Sequence, residues 1–93
     1  MSLLRAVEIE EKLKHLQGWS QQGQEIVREF TFGNFVKAMQ FVNMVAEQAE
    51  AAGHHPDIDI RYNKVKLALV SHDAGGLTER DFQLASSIDQ IPT

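Results

Sequence analysis

Residues 34–56 read NFVKAMQFVNMVAEQAEAAGHHP, and the other predicted elements lie around this segment. Asn34 is a favourable N-cap, and Gly53 is a typical residue for the position just after a helix. Between them the apolar residues recur at helical spacing, so we predict one long helix over residues 35–52. The helix is expected to release the chain at His54-His55-Pro56, and the remaining elements are arranged around it.

The apolar residues of this helix extend beyond one face. The predicted inward stripe consists of Phe35, Met39, Val42, Val45, Ala46 and Ala49. Three further apolar residues lie partly off this stripe, namely Val36, Phe41 and Met44. Either the core-facing stripe is wide, or the extra apolar surface packs against a second copy of the chain. We favour self-association.

Strand patterns flank the long helix on both sides. Before it, residues 19–22 and 26–32 predict a hairpin. After it, residues 57–62 and 65–71 alternate between polar and apolar positions, and Asn63-Lys64 is the predicted turn of a second hairpin. One face of the return strand is formed by Val65, Leu67, Leu69 and Ser71.

Two shorter helices complete the pattern. Residues 7–16 carry apolar residues mostly at the spacing of one helical face. Thr78 and Asp81 form a capping-box pattern at the start of a last helix, which Pro92 ends. We therefore predict a single α+β domain over residues 1–93, with a four-stranded antiparallel sheet that carries helices on one face, in the order α-β-β-α-β-β-α. The pattern leaves open how the two hairpins join.

Composition argues against several functional classes. The net charge of -4 and the lack of a Lys or Arg run argue against nonspecific binding to nucleic acid. The chain has no cysteine, which excludes disulfides and thiolate metal sites. No stretch reaches the apolar length of a membrane span, and the N-terminus lacks the apolar region of a signal peptide. We expect a cytoplasmic protein with no nucleic-acid partner and no membrane partner.

The histidines concentrate after the long helix. Three of the four are His54, His55 and His72. Imidazole can give or take a proton near neutral pH, so the cluster indicates acid–base chemistry or a metal site. Pro56 restricts His55 to extended geometry, so the two adjacent rings should point in different directions. Glu50 lies four residues before His54 and could reach and orient it.

Three interpretations of this cluster stay open on the residues alone. His54, His55 and His72 could supply a proton donor, a proton acceptor and a hydrogen-bonding wall, if the second hairpin lies beside the helix end. Three histidines are also a credible set of zinc ligands, although neither an H-x-H nor an H-x-x-x-H spacing occurs. The three histidines could instead be surface residues with no catalytic or metal-binding role. Asp81 is more readily interpreted as a capping residue than as a catalyst.

The spacing of these residues resembles the signature of a known family. Glu50, His54-His55-Pro56, Tyr62, His72 and Asp81 follow one another at the family's intervals. Flanking segments add to the match: Gly18-Trp19, Phe30-x-Phe32 with Phe35, Val45-Ala46, Ala49-Glu50, Tyr62-Asn63-Lys64-Val65 and residues 76–81. Over residues 18–91 the chain resembles the pterin-4a-carbinolamine dehydratases, also called 4a-hydroxytetrahydrobiopterin dehydratases.

The resemblance implies a hydro-lyase. Its substrate would be 4a-hydroxytetrahydrobiopterin, and its products quinonoid dihydropterin and water, as a step of tetrahydrobiopterin recycling. The family needs no metal and no organic cofactor. The implied catalytic residues are His54, His55 and His72, of which His54 and His72 would transfer protons and His55 would hold the pterin. The implied substrate-binding residues are Gly53, His54, His55, Val70, Ser71, His72 and Asp73, and the supporting residues are Glu50 and Asp81.

The resemblance also implies partners. Members form dimers and tetramers in which sheets join edge to edge and long helices pack together, so we expect a homodimer or homotetramer. A functional link to an aromatic amino acid hydroxylase follows from the substrate, which such an enzyme produces. The alternative function is a protein-interaction module, because animal relatives also act as dimerisation cofactors of a homeodomain transcription factor.

Overall fold

The chain forms one sheet and three helices in the computed structural model, which describes residues 2–93. Along these residues the elements are α1 (Ala6–Leu13), β1 (Ser20–Gln22), β2 (Glu25–Thr31), α2 (Phe35–Ala52), β3 (Asp57–Arg61), β4 (Lys64–Leu69) and α3 (Glu79–Asp89). The predicted α+β fold and its element order are confirmed. The bounds of α2 are those predicted from Asn34 and Gly53, because both residues cap it.

The two hairpins join through β2 and β4. The strand order is β1-β2-β4-β3, and every neighbouring pair is antiparallel. Residues 26–31 of β2 pair with residues 64–69 of β4. This pairing makes β4 an inner strand, and its Val65, Leu67 and Leu69 are fully buried, as predicted for that face. It also places β4 between β2 and β3 and not at an edge of the sheet.

The face of α2 that meets the core differs from the predicted stripe. The buried residues of α2 are Ala38, Phe41, Val45 and Ala49. Phe35 and Ala46, both assigned to the inward stripe, are exposed. Phe41 was expected partly off the stripe, yet its ring packs against Phe30 and Phe32 at centroid distances of 4.6 and 5.0 Å. The correction has a physical cause: this helix is apolar over a wide arc, so the aromatic partners on the sheet side select which part is buried.

The tip of the second hairpin lies one residue earlier than predicted. Arg61 pairs with Lys64, so the turn residues are Tyr62 and Asn63. Tyr62 takes a φ of 53°, a region that non-glycine residues seldom occupy. The side chain of Asn63 donates to the Phe32 carbonyl oxygen at 2.9 Å, and its own carbonyl oxygen accepts from the Phe32 N–H at 2.8 Å. These bonds to the end of β2 fix the turn position.

The terminal helices close the core over the sheet. α1 ends at Leu13, earlier than predicted, because the next three backbone N–H groups bond three residues back in a tighter turn. α3 begins after its N-cap Thr78, as predicted. Its buried residues are Asp81, Phe82, Leu84, Ala85 and Ile88. Among residues 2–93, no helix combines the length and apolar character needed to cross a membrane.

Candidate active site

A buried carboxylate lies at the start of α3. Asp81 is fully buried, and its Oδ2 accepts a hydrogen bond from the backbone N–H of Thr78 at 2.9 Å. Its other oxygen, Oδ1, lies 2.6 Å from Nε2 of His54. Asp81 therefore does more than the capping that its position predicted: it caps α3 with one oxygen and holds a histidine with the other.

His54 reaches this carboxylate through the turn that ends α2. Gly53 takes a left-handed φ of 64°, and the backbone N–H of His54 bonds back to the carbonyl oxygen of Ala49 at 3.2 Å. A residue with a Cβ would be strained at that φ. The turn directs the His54 side chain into the protein, where it is buried. Local backbone geometry at the helix end thus aims His54 at α3.

His55, unlike His54, is exposed to solvent. Its Nε2 is 2.5 Å from Oε2 of Glu50, and both side chains are exposed. The expectation that Glu50 could orient His54 is therefore corrected: Glu50 binds His55. Side chains four residues apart meet only while the helix continues, and the left-handed turn at Gly53 interrupts it before His54. The two adjacent rings diverge, as predicted from Pro56.

A cavity of about 230 Å³ opens between the end of α2 and the segment after β4. It is lined by Gly53, His54, His55, Val70, His72 and Asp73. β3 and β4 are antiparallel, with Asp57 opposite Ala68, so the segment before β3 lies beside the segment after β4. His72 therefore borders the same cavity as the two histidines from the helix end. All three histidines of the predicted catalytic set therefore border one space.

Ser71 is the member of the predicted substrate-binding set that does not line this cavity. Its side chain is fully buried, and its hydroxyl donates to Oδ2 of Asp81 at 2.9 Å. Side chains alternate along extended backbone, so Ser71 faces the core while Val70 and His72 face the cavity. The Ser71 side chain contacts the supporting carboxylate, and the predicted contact of Ser71 with a substrate stays a prediction.

An ion pair stands at the rim of the cavity. Arg80 donates a hydrogen bond from its guanidinium to Oδ1 of Asp73. This hydrogen bond lowers the pKa of Asp73, so that carboxylate is ionised at neutral pH. Sequence reasoning did not single out Arg80 or Thr78 as parts of the site. The available signal was their place beside Asp81 in the capping segment, which by itself indicates only a helix start.

The three imidazoles differ in their surroundings, and this difference defines the site. His54 is buried against a buried carboxylate, His55 is exposed against an exposed one, and His72 is exposed after β4. Within residues 2–93, no group of three or more His, Cys, Asp or Glu side chains is placed to hold a metal ion. A small α+β domain with such a cavity has the features of an acid–base site for a small polar ligand.

Comparison with known sequences identifies the family. Residues 2–91 match the family described as Pterin 4 alpha carbinolamine dehydratase. A protein of Acidobacterium capsulatum, provisionally named pterin-4-alpha-carbinolamine dehydratase, is 63% identical over 98% of this chain and 99% of its own. A Chloroflexus aurantiacus protein with the same provisional name is 59% identical over 98% of each chain. The chain belongs to the pterin-4a-carbinolamine dehydratase family, as its signature predicted, and this membership supports pterin carbinolamine dehydratase activity.

Solved structures agree on the fold. A transcriptional coactivator/pterin dehydratase from Brucella melitensis is similar over 92% of this chain and 94% of its own, with a TM-score of 0.89 and 34% identity. A pterin dehydratase-like protein, described as a RuBisCO assembly factor in the alpha-carboxysome, is similar over 81% of this chain and 89% of its own, with a TM-score of 0.67 and 26% identity. Proteins with this fold are thus described as a transcriptional coactivator/pterin dehydratase in one case and as a RuBisCO assembly factor in the other.

Proposed function

We propose that this chain dehydrates 4a-hydroxytetrahydrobiopterin to quinonoid dihydropterin and water. One observation carries the proposal: in a chain of this family, His54, which the buried carboxylate of Asp81 holds, borders the same cavity as His55 and His72. Three imidazoles in three environments are suited to a reaction that moves two protons on one small molecule.

The elimination needs a proton donor and a proton acceptor. Hydroxide is a poor leaving group, so the C4a oxygen is protonated as the C4a–O bond breaks and water departs. The N5 proton is removed, and the electron pair of the N5–H bond forms the C4a=N5 double bond. One proton is supplied and one is taken up, so no net proton is consumed. General acid–base help of this kind typically contributes about 10²–10⁴ in rate.

His54 and His72 are the proposed proton-transfer pair. The carboxylate of Asp81 orients the His54 ring through the contact between Oδ1 and Nε2. His72 is exposed, so it can exchange protons with solvent. His55, supported by Glu50, is the proposed group that holds the pterin.

The rest of the cavity suits the polar edge of a pterin. Gly53 and Val70 leave room for a flat ring, and the ionised carboxylate of Asp73 is an acceptor for ring N–H groups. The substrate arises when an aromatic amino acid hydroxylase uses tetrahydropterin, and the quinonoid product must be reduced before reuse. The proposed place of this chain is therefore between that hydroxylase and a reductase, in tetrahydrobiopterin recycling.

The direct test adds 4a-hydroxytetrahydrobiopterin to the purified protein and follows quinonoid formation by absorbance. We expect a rate well above that of buffer. His54→Ala and His72→Ala should each lose about 10²-fold or more while keeping the wild-type circular dichroism. The matched control is His15→Ala, because His15 is an exposed histidine far along the chain from the cavity residues. A wild-type rate equal to that of buffer would refute the function, and unchanged rates in both variants would refute the assignment of roles.

A second candidate function is a protein-interaction module, such as a dimerisation cofactor of a transcription factor. Phe35 and Val36, at the start of α2, are 48% and 62% exposed, and the similar Brucella protein is described as a coactivator. Light scattering after size exclusion tests this surface. If the chain forms a homodimer or homotetramer that Val36→Glu dissociates, this face serves self-association. A monomer that Val36→Glu leaves unchanged would remove self-association as its use.

A further inference from the structure

We propose that Ser71 is a positioning residue, through which a directed chain of hydrogen bonds from Thr78 to Asp81 fixes the tautomer of His54. The predicted effect on turnover rests on the proposed function. The predicted effect on the His54 ring does not, because it follows from the hydrogen-bond geometry alone.

Four polar side chains form a continuous line inside the protein. Oγ1 of Thr78 lies 2.8 Å from Oγ of Ser71, which lies 2.9 Å from Oδ2 of Asp81. Oδ1 of Asp81 lies 2.6 Å from Nε2 of His54. Thr78, Ser71 and Asp81 are fully buried, so water does not compete for these bonds.

The hydrogens along this line can be assigned by counting donors. A carboxylate has none to donate, and Oδ2 of Asp81 already accepts the backbone N–H of Thr78 at 2.9 Å. Ser71 must therefore donate its single hydroxyl hydrogen to Asp81. It can then only accept from Thr78, so the Thr78 hydroxyl donates to Ser71. Oγ1 of Thr78 accepts in turn from the backbone N–H of Arg80 at 3.3 Å. Every hydrogen in the chain thus points toward Asp81.

The same count places a hydrogen on one nitrogen of the His54 ring. Because Oδ1 of Asp81 is an acceptor, Nε2 of His54 carries a hydrogen. The neutral ring has only one N–H, so Nδ1 is left with a free lone pair. The hydrogen bonds within residues 2–93 give Nδ1 no partner. Since His54 lines the cavity, Nδ1 is the ring nitrogen that remains for a ligand.

Ser71 also links the two halves of the site. Its backbone N–H donates to the Gly76 carbonyl oxygen at 3.0 Å, and its carbonyl oxygen accepts from the Gly76 N–H at 3.3 Å. This bridge fixes the backbone immediately before His72. The Ser71 hydroxyl therefore ties the segment that carries His72 to the carboxylate that holds His54. Without the Ser71 hydroxyl, Oδ2 of Asp81 keeps only the hydrogen bond from the Thr78 N–H. The carboxylate can then rotate, which releases its contact with Nε2 of His54.

The test reads the His54 ring directly. Long-range ¹H–¹⁵N correlation spectra of ¹⁵N-labelled protein, recorded at a pH where His54 is neutral, should show hydrogen on Nε2 in the wild type. Ser71→Ala should give a mixture of tautomers, with kcat lowered about 10-fold or more and KM nearly unchanged. Ser71→Thr should restore both, because it returns a hydroxyl. Ser86→Ala, the same change at a serine of α3 outside this hydrogen-bond chain, should leave the spectrum and the rate as they are.

Each outcome decides the inference. Hydrogen on Nδ1 of wild-type His54 would overturn it, as would a Ser71→Ala protein with a single tautomer and wild-type kcat. If Ser71→Ala does not fold, Ser71→Cys replaces it: the thiol is a weaker donor, and we expect an intermediate kcat. A wild type that shows the Nε2–H tautomer but no dehydration would refute the proposed function and leave the hydrogen-bond chain standing.

Discussion

Two adjacent histidines make the same kind of contact in opposite environments. His54 and Asp81 have side chains that are 10% and 0% exposed, whereas His55 and Glu50 are 62% and 78% exposed. The nitrogen–oxygen distances are nearly equal, at 2.6 and 2.5 Å. The two pairs therefore differ in their burial and not in their nitrogen–oxygen distance. In the interior a charge interaction is strong and an unpaired group is costly, whereas at the surface water and salt weaken both effects. The buried pair is a fixed part of the protein, and the exposed pair is an adjustable contact.

The largest expected effect is on the buried pair. Asp81→Ala leaves His54, Ser71 and the Thr78 N–H without their shared acceptor. We expect a loss of about 3–5 kcal/mol in the free energy of unfolding, measured by urea denaturation. The matched variant Glu50→Ala should lose less than about 1 kcal/mol. Equal losses in the two variants would show that burial does not separate the pairs.

The next effect concerns the exposed histidine. If His55 holds the ligand and transfers no proton, His55→Ala should raise KM about 2–10-fold, the equivalent of one hydrogen bond. Its kcat should stay close to the wild-type value. Steady-state rates with 4a-hydroxytetrahydrobiopterin measure both constants. A fall in kcat as large as that of His54→Ala would place His55 among the proton-transfer groups.

A smaller effect comes from salt. In about 1 M salt the screening length shrinks to about 3 Å, so an exposed ion pair contributes little. The difference in unfolding free energy between wild type and Glu50→Ala should vanish there, while the difference for Asp81→Ala should persist. Parallel urea titrations at low and high salt measure this. A salt-sensitive Asp81→Ala difference would mean that solvent reaches the buried pair.

The smallest effect is at the rim of the cavity. The hydrogen bond from Arg80 lowers the pKa of Asp73 below its ordinary value of 3.8. Because the pKa is lower in the folded state, the stabilisation is complete above the ordinary value and is lost as pH falls through the folded value. The stability difference between wild type and Asp73→Asn should therefore shrink on acidification. A difference that grows at low pH would contradict this pairing.

Local patterns predicted the elements well. Asn34 and Gly53 marked both ends of α2, and Thr78 marked the start of α3. The arc of α2 that is buried was predicted wrongly at Phe41, because its partners lie on β2 and just after it. The turn was misplaced by one residue: Asn63 lies in it as predicted, but the pairing of Arg61 with Lys64 puts Tyr62 in the turn in place of Lys64.

The site was predicted in its residues but not in its contacts. The family signature assigned the three histidines, Glu50 and Asp81 to one site. Helical spacing then assigned Glu50 to the wrong histidine, and the resemblance placed Ser71 among the substrate-binding residues without showing its contact with Asp81. The error at Glu50 has a local cause, the left-handed turn at Gly53, whereas the contact between Ser71 and Asp81 depends on how α3 packs against the segment after β4.

The sequence alone predicted the helix and strand segments, the caps of α2 and α3, the family signature and the cluster of three histidines. These features depend on residues that are neighbours along the chain. Only the tertiary structure decided that β2 pairs with β4, that Asp81 is buried against His54, and that His55 remains in solvent with Glu50. The physical reason is that burial changes the strength of a charged contact, and burial is set by which distant segments pack together.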